Sequence, residues 1–116
     1  MTNRPVPDEV MDGWLEPLLK QRAIRRDLAK YLRSCRKGEM LEACEQLAGF
    51  NKPVLVAWSA DDRMMPLEHG RRFADLLPNA TFVAIQDSAT LVSEDQPTAL
   101  AHQIREFVAK NVAAPD

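Results

Sequence analysis

The sequence is poor in the residues that define several common protein classes. Its 116 residues include only two cysteines and four glycines, and aromatic side chains make up 6%. The two isolated cysteines, Cys35 and Cys44, exclude a disulfide framework and a zinc site, and we interpret them as small buried apolar residues. No apolar run approaches the roughly 18 residues of a membrane-spanning helix. The first residues lack the apolar stretch of a secretory signal, so we expect a soluble cytoplasmic protein.

Charged residues are nearly balanced in number but unevenly placed. Fifteen Lys and Arg stand against 17 Asp and Glu. Eight of the basic residues lie between Lys20 and Lys37, where Asp27 is the only acidic residue. Such a segment could bind an acidic partner, nucleic acid or anionic lipid. Because it has no interleaved aromatics suited to base stacking and the rest of the chain is acidic, we interpret it as the solvated face of a helix and expect no nucleic acid and no membrane partner.

The first 49 residues have the pattern of helices. Two apolar stripes recur at helical spacing: Val10, Trp14 and Leu18, then Ile24, Leu28, Tyr31, Leu32 and Cys35. Pro17 interrupts the first stripe and is expected to kink or split that helix, because proline has no backbone donor. A third helix is predicted from Glu39 to Leu47, since Gly49 suits the position just past a helix end.

The pattern changes to strand, helix and strand after Lys52-Pro53. Val54–Trp58 is a continuous apolar run rich in β-branched residues, which is typical of a strand covered on both faces. Pro66 opens a predicted helix, and a second apolar run follows at Thr81–Ile85. Such a βαβ unit predicts two parallel strands.

A final helix is predicted after the second strand. Ser93 and Gln96 have the spacing of a capping box, in which two side chains satisfy free amides at a helix start. Pro97 is tolerated in the first turn, where its missing donor has no partner. A buried stripe then follows: Leu100, Ile104, Phe107 and Val108.

This predicted sheet is incomplete. Parallel sheets occur almost only where several strands are covered by helices on both faces. The run Val54–Trp58 would present an unpaired apolar edge, which invites another strand. We therefore expect part of a larger sheet, or a chain that pairs through this edge with a second copy or with an N-terminal half.

One stretch of the sequence resembles a known family. Residues Lys52 to Gly70, KPVLVAWSADDRMMPLEHG, resemble the strand and acid-bearing loop near the end of an α/β-hydrolase domain. Leu76–Ala80 and Asp87–Pro97 resemble the segment that follows it. The resemblance implies an α/β fold class: residues 50–116 would be a partial α/β-hydrolase core of βαβα order with two parallel strands, and residues 1–49 the end of a helical cap.

The resemblance assigns two positions of a catalytic triad. Asp62 matches the acid, whose role in the family is to hold the histidine in one tautomer and stabilise its imidazolium. The family's histidine ends a segment like Asp-Ser-Gly-His, which reads Asp-Ser-Ala-Thr here, so Thr90 occupies that position. A threonine hydroxyl cannot act as a general base near neutral pH. None of the four serines lies in the family's Gly-x-Ser-x-Gly nucleophile motif: Ser34, Ser59, Ser88 and Ser93.

Other interpretations of these residues stay open. Asp61 or Asp62 could cap the loop and pair with Arg63, a common use of Asp in turns. His69 and His102 have no neighbours of the right type and are interpreted as structural, and no cofactor or metal is expected.

The sequence therefore predicts the C-terminal portion of an α/β-hydrolase-like protein that is inactive as this chain alone. Its parent activity would be hydrolysis of ester-like bonds, and a small ester-like substrate would bind only once the missing half completes the site. One alternative is a non-catalytic scaffold or binding module derived from the fold. The other is an interaction protein that uses the basic helix.

Overall fold

The computed structural model describes residues 1–112, which form six helices and two strands. In chain order these are α1 (Asp8–Lys20), α2 (Arg22–Ser34), α3 (Lys37–Leu47), β1 (Val54–Ser59), α4 (Leu67–Asp75), β2 (Ala80–Ile85), α5 (Val92–Asp95) and α6 (Pro97–Val112). Residues 5–45 form one compact unit, and residues 1–4 together with those from 46 onward form another. Residues 113–116 of the predicted C-terminal part lie outside the described residues. Among the described residues, no helix combines the length and the hydropathy that a membrane-spanning segment requires.

Pro17 lies inside α1 and does not split it. A proline cannot donate to the carbonyl four residues earlier, which here belongs to Gly13. Gly13 is exposed to solvent, so water can bond to its carbonyl instead. The helix continues to Lys20, so the expected split at Pro17 is wrong, while the alternative of a kink stays a prediction.

The unit of residues 5–45 has no buried residue in α1 or α2. The apolar stripe of α2 is present as predicted, but Leu32 is 62% exposed. Arg25 joins the two helices by donating to the carbonyls of Leu18 and Leu19 at 3.0 and 2.6 Å, which satisfies acceptors at the end of α1. The basic side chains of α2 are exposed, and the side chain of Lys37 lies outside the described residues.

The second unit is built on a two-stranded sheet. β1 and β2 pair in parallel over all six residues of each strand, as predicted. Side chains alternate between the two faces of the sheet, and both α4 and α6 contact both strands. On the α4 face, Val56 packs with Ala74 and Leu77 in the buried core. Parallel pairing places the loops after β1 and β2 side by side at one end of the sheet.

The predicted single final helix is wrong. Two helices, α5 and α6, meet at Gln96 and Pro97. Proline disfavours helical backbone in the residue before it, and Gln96 has φ −135° and ψ 56°. The predicted capping box is also wrong, because Ser93 lies inside α5 and Gln96 Nε2 donates to the carbonyl and the carboxylate of Asp87, both at 3.1 Å.

Gly70 of α4 lies against Trp58 of β1. A Cβ at position 70 would lie 2.4 Å from Cδ2 and 2.6 Å from Cγ of the indole. The indole is held in place because its Nε1 donates to the carbonyl of Met65 at 2.9 Å. The missing side chain therefore lets α4 pack closely on the sheet.

Gly70→Ala is expected to lower the free energy of unfolding by about 1–3 kcal/mol, because overpacking outweighs a helix-propensity gain of about 1 kcal/mol. Gly13→Ala in α1 is the matched control, since no atom lies within 4 Å of its added Cβ. Urea unfolding followed by circular dichroism measures both variants. A Gly70→Ala chain at least as stable as the unmodified one would contradict the close packing.

Candidate functional site

The candidate site lies at the carboxyl ends of β1 and β2. The loop after β1 carries the acidic pair Asp61 and Asp62, and the loop after β2 carries Thr90. Two backbone hydrogen bonds tie the loop after β1 to the end of β2 and to the loop that follows it. The amide of Ala60 donates to the carbonyl of Ile85 at 2.9 Å, and the amide of Asp61 donates to the carbonyl of Ser88 at 3.0 Å. Residues 28 positions apart in the sequence are thereby brought together.

Asp62 is the centre of this arrangement. It is only 8% exposed, and three hydrogen bonds end on its Oδ1. The amides of Met64 and Met65 donate at 2.9 and 3.0 Å, and the hydroxyl of Thr90 donates at 2.9 Å. None of the hydrogen bonds among the described residues ends on Oδ2. The carboxylate thus caps its own loop and also accepts a hydrogen bond from Thr90 on the neighbouring loop.

The surroundings of Asp62 favour its charged form. Burial by itself raises the pKa of this carboxyl, but the hydrogen bonds from the Met65 amide, the Thr90 hydroxyl and the Met64 amide lower it more. The net pKa lies below its ordinary value, so Asp62 is ionised at neutral pH. Asp62 can therefore both cap its loop and accept a further donor. Its Oδ1 accepts the hydrogen bonds of the loop, whereas no donor among the described residues bonds to its Oδ2. Arg63, the third residue in the turn-capping interpretation, forms no ion pair with Asp61 or Asp62.

Asp95 is a second buried carboxylate, which the sequence alone did not single out. It is 2% exposed and accepts four hydrogen bonds from backbone amides. Ala89 donates at 2.8 Å, Asn3 at 2.9 Å to each oxygen, and Arg4 at 3.2 Å. The signal in the sequence is an acid two residues before Pro97, because proline disfavours helical backbone in the residue that precedes it.

The bonds to Asp95 also favour its charged form. Burial raises the pKa of this carboxyl. The hydrogen bonds from the backbone amides of Ala89, Asn3 and Arg4, together with the positive charge of Arg4, lower that pKa below its ordinary value. Asp95 therefore fixes the backbone of the residue before Thr90. It is a positioning group for the loop that faces Asp62.

The tetrapeptide Met1–Arg4 lies across the same loops. The side-chain amide of Asn3 donates to Asp61 at 2.9 Å, and the guanidinium of Arg4 pairs with Asp87 at 2.9 Å. Asp87 has φ 51°, a conformation that Asp tolerates better than most residues. A cavity of about 290 Å³ remains beside the tetrapeptide, with these lining residues: Met1, Thr2, Asn3, Asp61, Arg63, Met64, Ala89 and Thr90.

The two histidines lie on helices of the second unit. His69 is exposed on α4, and His102 lies on α6 with its Nδ1 3.7 Å from Glu106. Neither is hydrogen-bonded to Asp62. Within the described residues, no cluster of His, Cys, Asp and Glu has the arrangement of a metal site.

The structure also gives the positions of two serines near the site and of the two cysteines. Ser59 ends β1 and is 5% exposed, and Ser88 is fully buried with its Oγ donating to the Ile85 carbonyl at 2.7 Å. The interpretation of both cysteines as buried is wrong for Cys35, which is exposed just past the end of α2, while Cys44 is half-buried. The described residues therefore place one carboxylate and one hydroxyl together, without an imidazole or an activated serine.

Thr90→Val is expected to raise the pKa of Asp62 and to lower the free energy of unfolding by about 1–2 kcal/mol. The variant keeps the side-chain shape but removes the donated hydrogen bond. Carboxyl-carbon NMR titration and urea unfolding measure the two effects. Thr81→Val, at an exposed position of β2, is the control. The Asp62–Thr90 contact is refuted by an Asp62 titration that is identical in both variants.

Stability is expected to fall on acidification below about pH 4. In the folded state the pKa values of Asp62 and Asp95 lie below their ordinary values. The two carboxylates therefore stabilise the fold at pH values above their pKa in the unfolded chain. This stabilisation is lost as the pH falls through their pKa values in the folded state. Thermal unfolding at pH 7 to 2.5 measures the profile. Asp95→Asn should be less stable at pH 7 and less acid-sensitive, whereas Asp75→Asn, an exposed control, should keep the original profile. An acid profile unchanged by Asp95→Asn would contradict this role.

Comparison with known proteins identifies relatives of this chain. No family model matches the chain. A Bacillus subtilis protein described as an uncharacterized hydrolase, YugF, is 30% identical over 103 residues, which make up 89% of this chain and 36% of that protein. The chain thus spans about a third of the length of this curated relative.

Solved structures show the same similarity. A thermophilic esterase from Thermogutta terrifontis is 29% identical and superposes with a TM-score of 0.57 over 59% of this chain and 25% of the esterase. An α/β-hydrolase enzyme from the metagenome of lagoon sediments at Mar Chica, Morocco, superposes with a TM-score of 0.67 over 89% of this chain and 45% of that enzyme. At 20% identity, the second match is one of fold alone.

Proposed function

Because this chain is the C-terminal part of an α/β-hydrolase-fold protein, we propose that it carries the acid position of a serine-hydrolase triad. Asp62 is the orienting acid, and the parent reaction is hydrolysis of an ester-like bond. The observation that carries the proposal is the 2.9 Å hydrogen bond from Thr90 Oγ1 to Asp62 Oδ1, since the resemblance places the family's histidine at position 90.

The state of Asp62 suits this role. An orienting acid must be ionised, fixed in direction and able to accept an imidazole N–H. The bonds from Met64 and Met65 fix the carboxylate and keep its pKa low. Its Oδ2 takes no hydrogen bond from the described residues, so it has an acceptor available for such a donor.

Catalysis by this chain alone is not part of the proposal. Thr90 can donate a hydrogen bond to Asp62 but cannot take a proton from a nucleophile near neutral pH. Ser59 and Ser88 are buried, and neither lies in a Gly-x-Ser-x-Gly turn. An imidazole and a nucleophile would have to come from elsewhere, and the substrate would contact residues of that other part.

The alternative is a non-catalytic scaffold or binding module derived from the fold. The observation that favours it is also Thr90: its hydroxyl satisfies Asp62 without creating a base. In this alternative the Met64, Met65 and Thr90 bonds serve only to hold the loop. The two functions differ in what a restored histidine would do.

A chimeric enzyme distinguishes the triad acid from the non-catalytic scaffold. Residues 50–116 replace the matching C-terminal part of the Thermogutta terrifontis esterase, and turnover of p-nitrophenyl butyrate is measured. We expect no turnover with Thr90, turnover with Thr90→His, and a loss of about 10²–10⁴-fold when Asp62→Asn is added to Thr90→His, because the imidazole then loses its orienting acceptor. The unmodified esterase is the positive control, and circular dichroism confirms that each chimera is folded.

Three results would contradict the proposal. Equal turnover of the Thr90→His chimera with and without Asp62→Asn would mean that Asp62 only caps its loop. A folded Thr90→His chimera with no turnover would favour the scaffold. Hydrolysis by the unmodified chain that Asp62→Asn abolishes would show that it is active without a supplied histidine.

A further inference from the structure

The tetrapeptide Met1–Arg4 bonds to the loop after β2 on the far side of Thr90. The amide of Leu91, the residue that follows Thr90, donates to the carbonyl of Met1 at 2.9 Å. This bond joins two main-chain groups, so it does not depend on which side chain stands at position 90. The tetrapeptide thus holds the backbone that leaves position 90.

Asn3 reaches the near side of Thr90 through Asp95. The amide of Asn3 donates to both carboxylate oxygens of Asp95 at 2.9 Å, and the amide of Ala89, the residue before Thr90, donates to Oδ2 at 2.8 Å. Asp95 is buried, so these hydrogen bonds to a charged group are shielded from competing water. The backbone on both sides of position 90 is therefore tied to the same tetrapeptide.

The side chain of Asn3 extends this connection to the loop after β1. Its Nδ2 donates to Oδ2 of Asp61 at 2.9 Å, and Asp61 is the residue before Asp62. Asn3 is thus bonded to both loops at once. Its main chain acts toward Thr90, and its side chain acts toward Asp62.

We infer that Asn3 is a positioning residue for the triad acid, because it sets the distance between Asp62 and the side chain at position 90. The inference rests on the proposed function, in which Asp62 orients an imidazole at that position. Catalytic groups have to be held to within about 0.5 Å of their productive geometry. A separation of the two loops by about 1 Å would break the 2.9 Å hydrogen bond between Thr90 and Asp62.

Amide exchange tests this role without any turnover. Asn3→Ala removes the bond to Asp61, so the amide of Leu91 should exchange about three- to tenfold faster as the tetrapeptide opens more often. The amide of Val54, which is bonded at the opposite end of the sheet, should keep its rate. Asn51→Ala, the same substitution at another exposed position, should change neither rate. The inference is wrong if Leu91 exchange is unchanged in Asn3→Ala, or if both amides accelerate equally through a general loss of stability.

The titration of Asp62 tests whether Asn3 acts through position 90. Asn3→Ala should raise the pKa of Asp62, because looser loops weaken the hydrogen bond from Thr90 that lowers it. In a Thr90→Val background, Asn3→Ala should leave the pKa of Asp62 unchanged, since that bond is already absent. Carboxyl-carbon NMR gives the pKa in all four chains. An equal rise in both backgrounds would identify the nearby charge of Asp61 as the cause and would refute the positioning role.

Asp61→Ala removes the same hydrogen bond from its other end. It should accelerate Leu91 exchange as much as Asn3→Ala does, and the double variant should show no further acceleration, because the two residues share one bond. Circular dichroism confirms that each variant is folded. Accelerations that multiply in the double variant would contradict the shared bond.

None of these readouts needs catalysis, so the positioning role and the proposed function can fail separately. An inactive Thr90→His chimera, together with the expected exchange and titration in the Asn3→Ala chain, would refute the proposed function and leave the coupling of the two loops by Asn3 standing. An active chimera, together with unchanged Leu91 exchange in Asn3→Ala, would support the proposed function and refute the role of Asn3.

Discussion

The parallel pairing of β1 with β2 is the constraint on which the candidate site depends. It places the ends of two strands side by side, and with them two loops that are far apart in the sequence. The bonds from Ala60 to Ile85 and from Asp61 to Ser88 extend the pairing into the loops. Without this pairing, Asp62 and Thr90 would be ordinary polar residues on separate loops.

Two buried carboxylates then hold the loops in place. Asp62 is bonded by its own loop and by Thr90, and Asp95 is bonded by the residue before Thr90 and by the tetrapeptide Met1–Arg4. Each carries a negative charge in a nearly inaccessible position, which is tolerable because backbone amides surround it. The two carboxylates and the backbone amides that bond to them therefore form a fixed framework for the loops that carry Asp62 and Thr90.

Much of this could be predicted from the sequence. The apolar runs around Val56 and Val83 predicted the parallel strands, and the resemblance to an α/β hydrolase placed Asp62 and Thr90 at two positions of one catalytic triad, which predicted that they lie close together. Local patterns were insufficient for Asp95 and Gln96. The capping-box spacing favoured one continuous helix, but Pro97 and the amides of Asn3 and Arg4, which are remote in the sequence, favoured a break.

The wrong expectation of a split in α1 at Pro17 has a similar cause. Pro17 is read as a helix breaker from its own chemistry, yet the residue whose hydrogen bond it removes is an exposed glycine that can bond to water. The effect of a proline or a carboxylate depends on the group it faces. That group is visible in the sequence only when it lies a fixed number of residues away.

The most direct test is the pKa of an imidazole placed opposite Asp62. In a chain with Thr90→His, NMR titration should give that imidazole a pKa at least about one unit above the ordinary value near 6.5, because the carboxylate stabilises its charged form. Adding Asp62→Asn should return the pKa to the ordinary value. An imidazole that titrates normally, and identically with and without the carboxylate, would contradict the account.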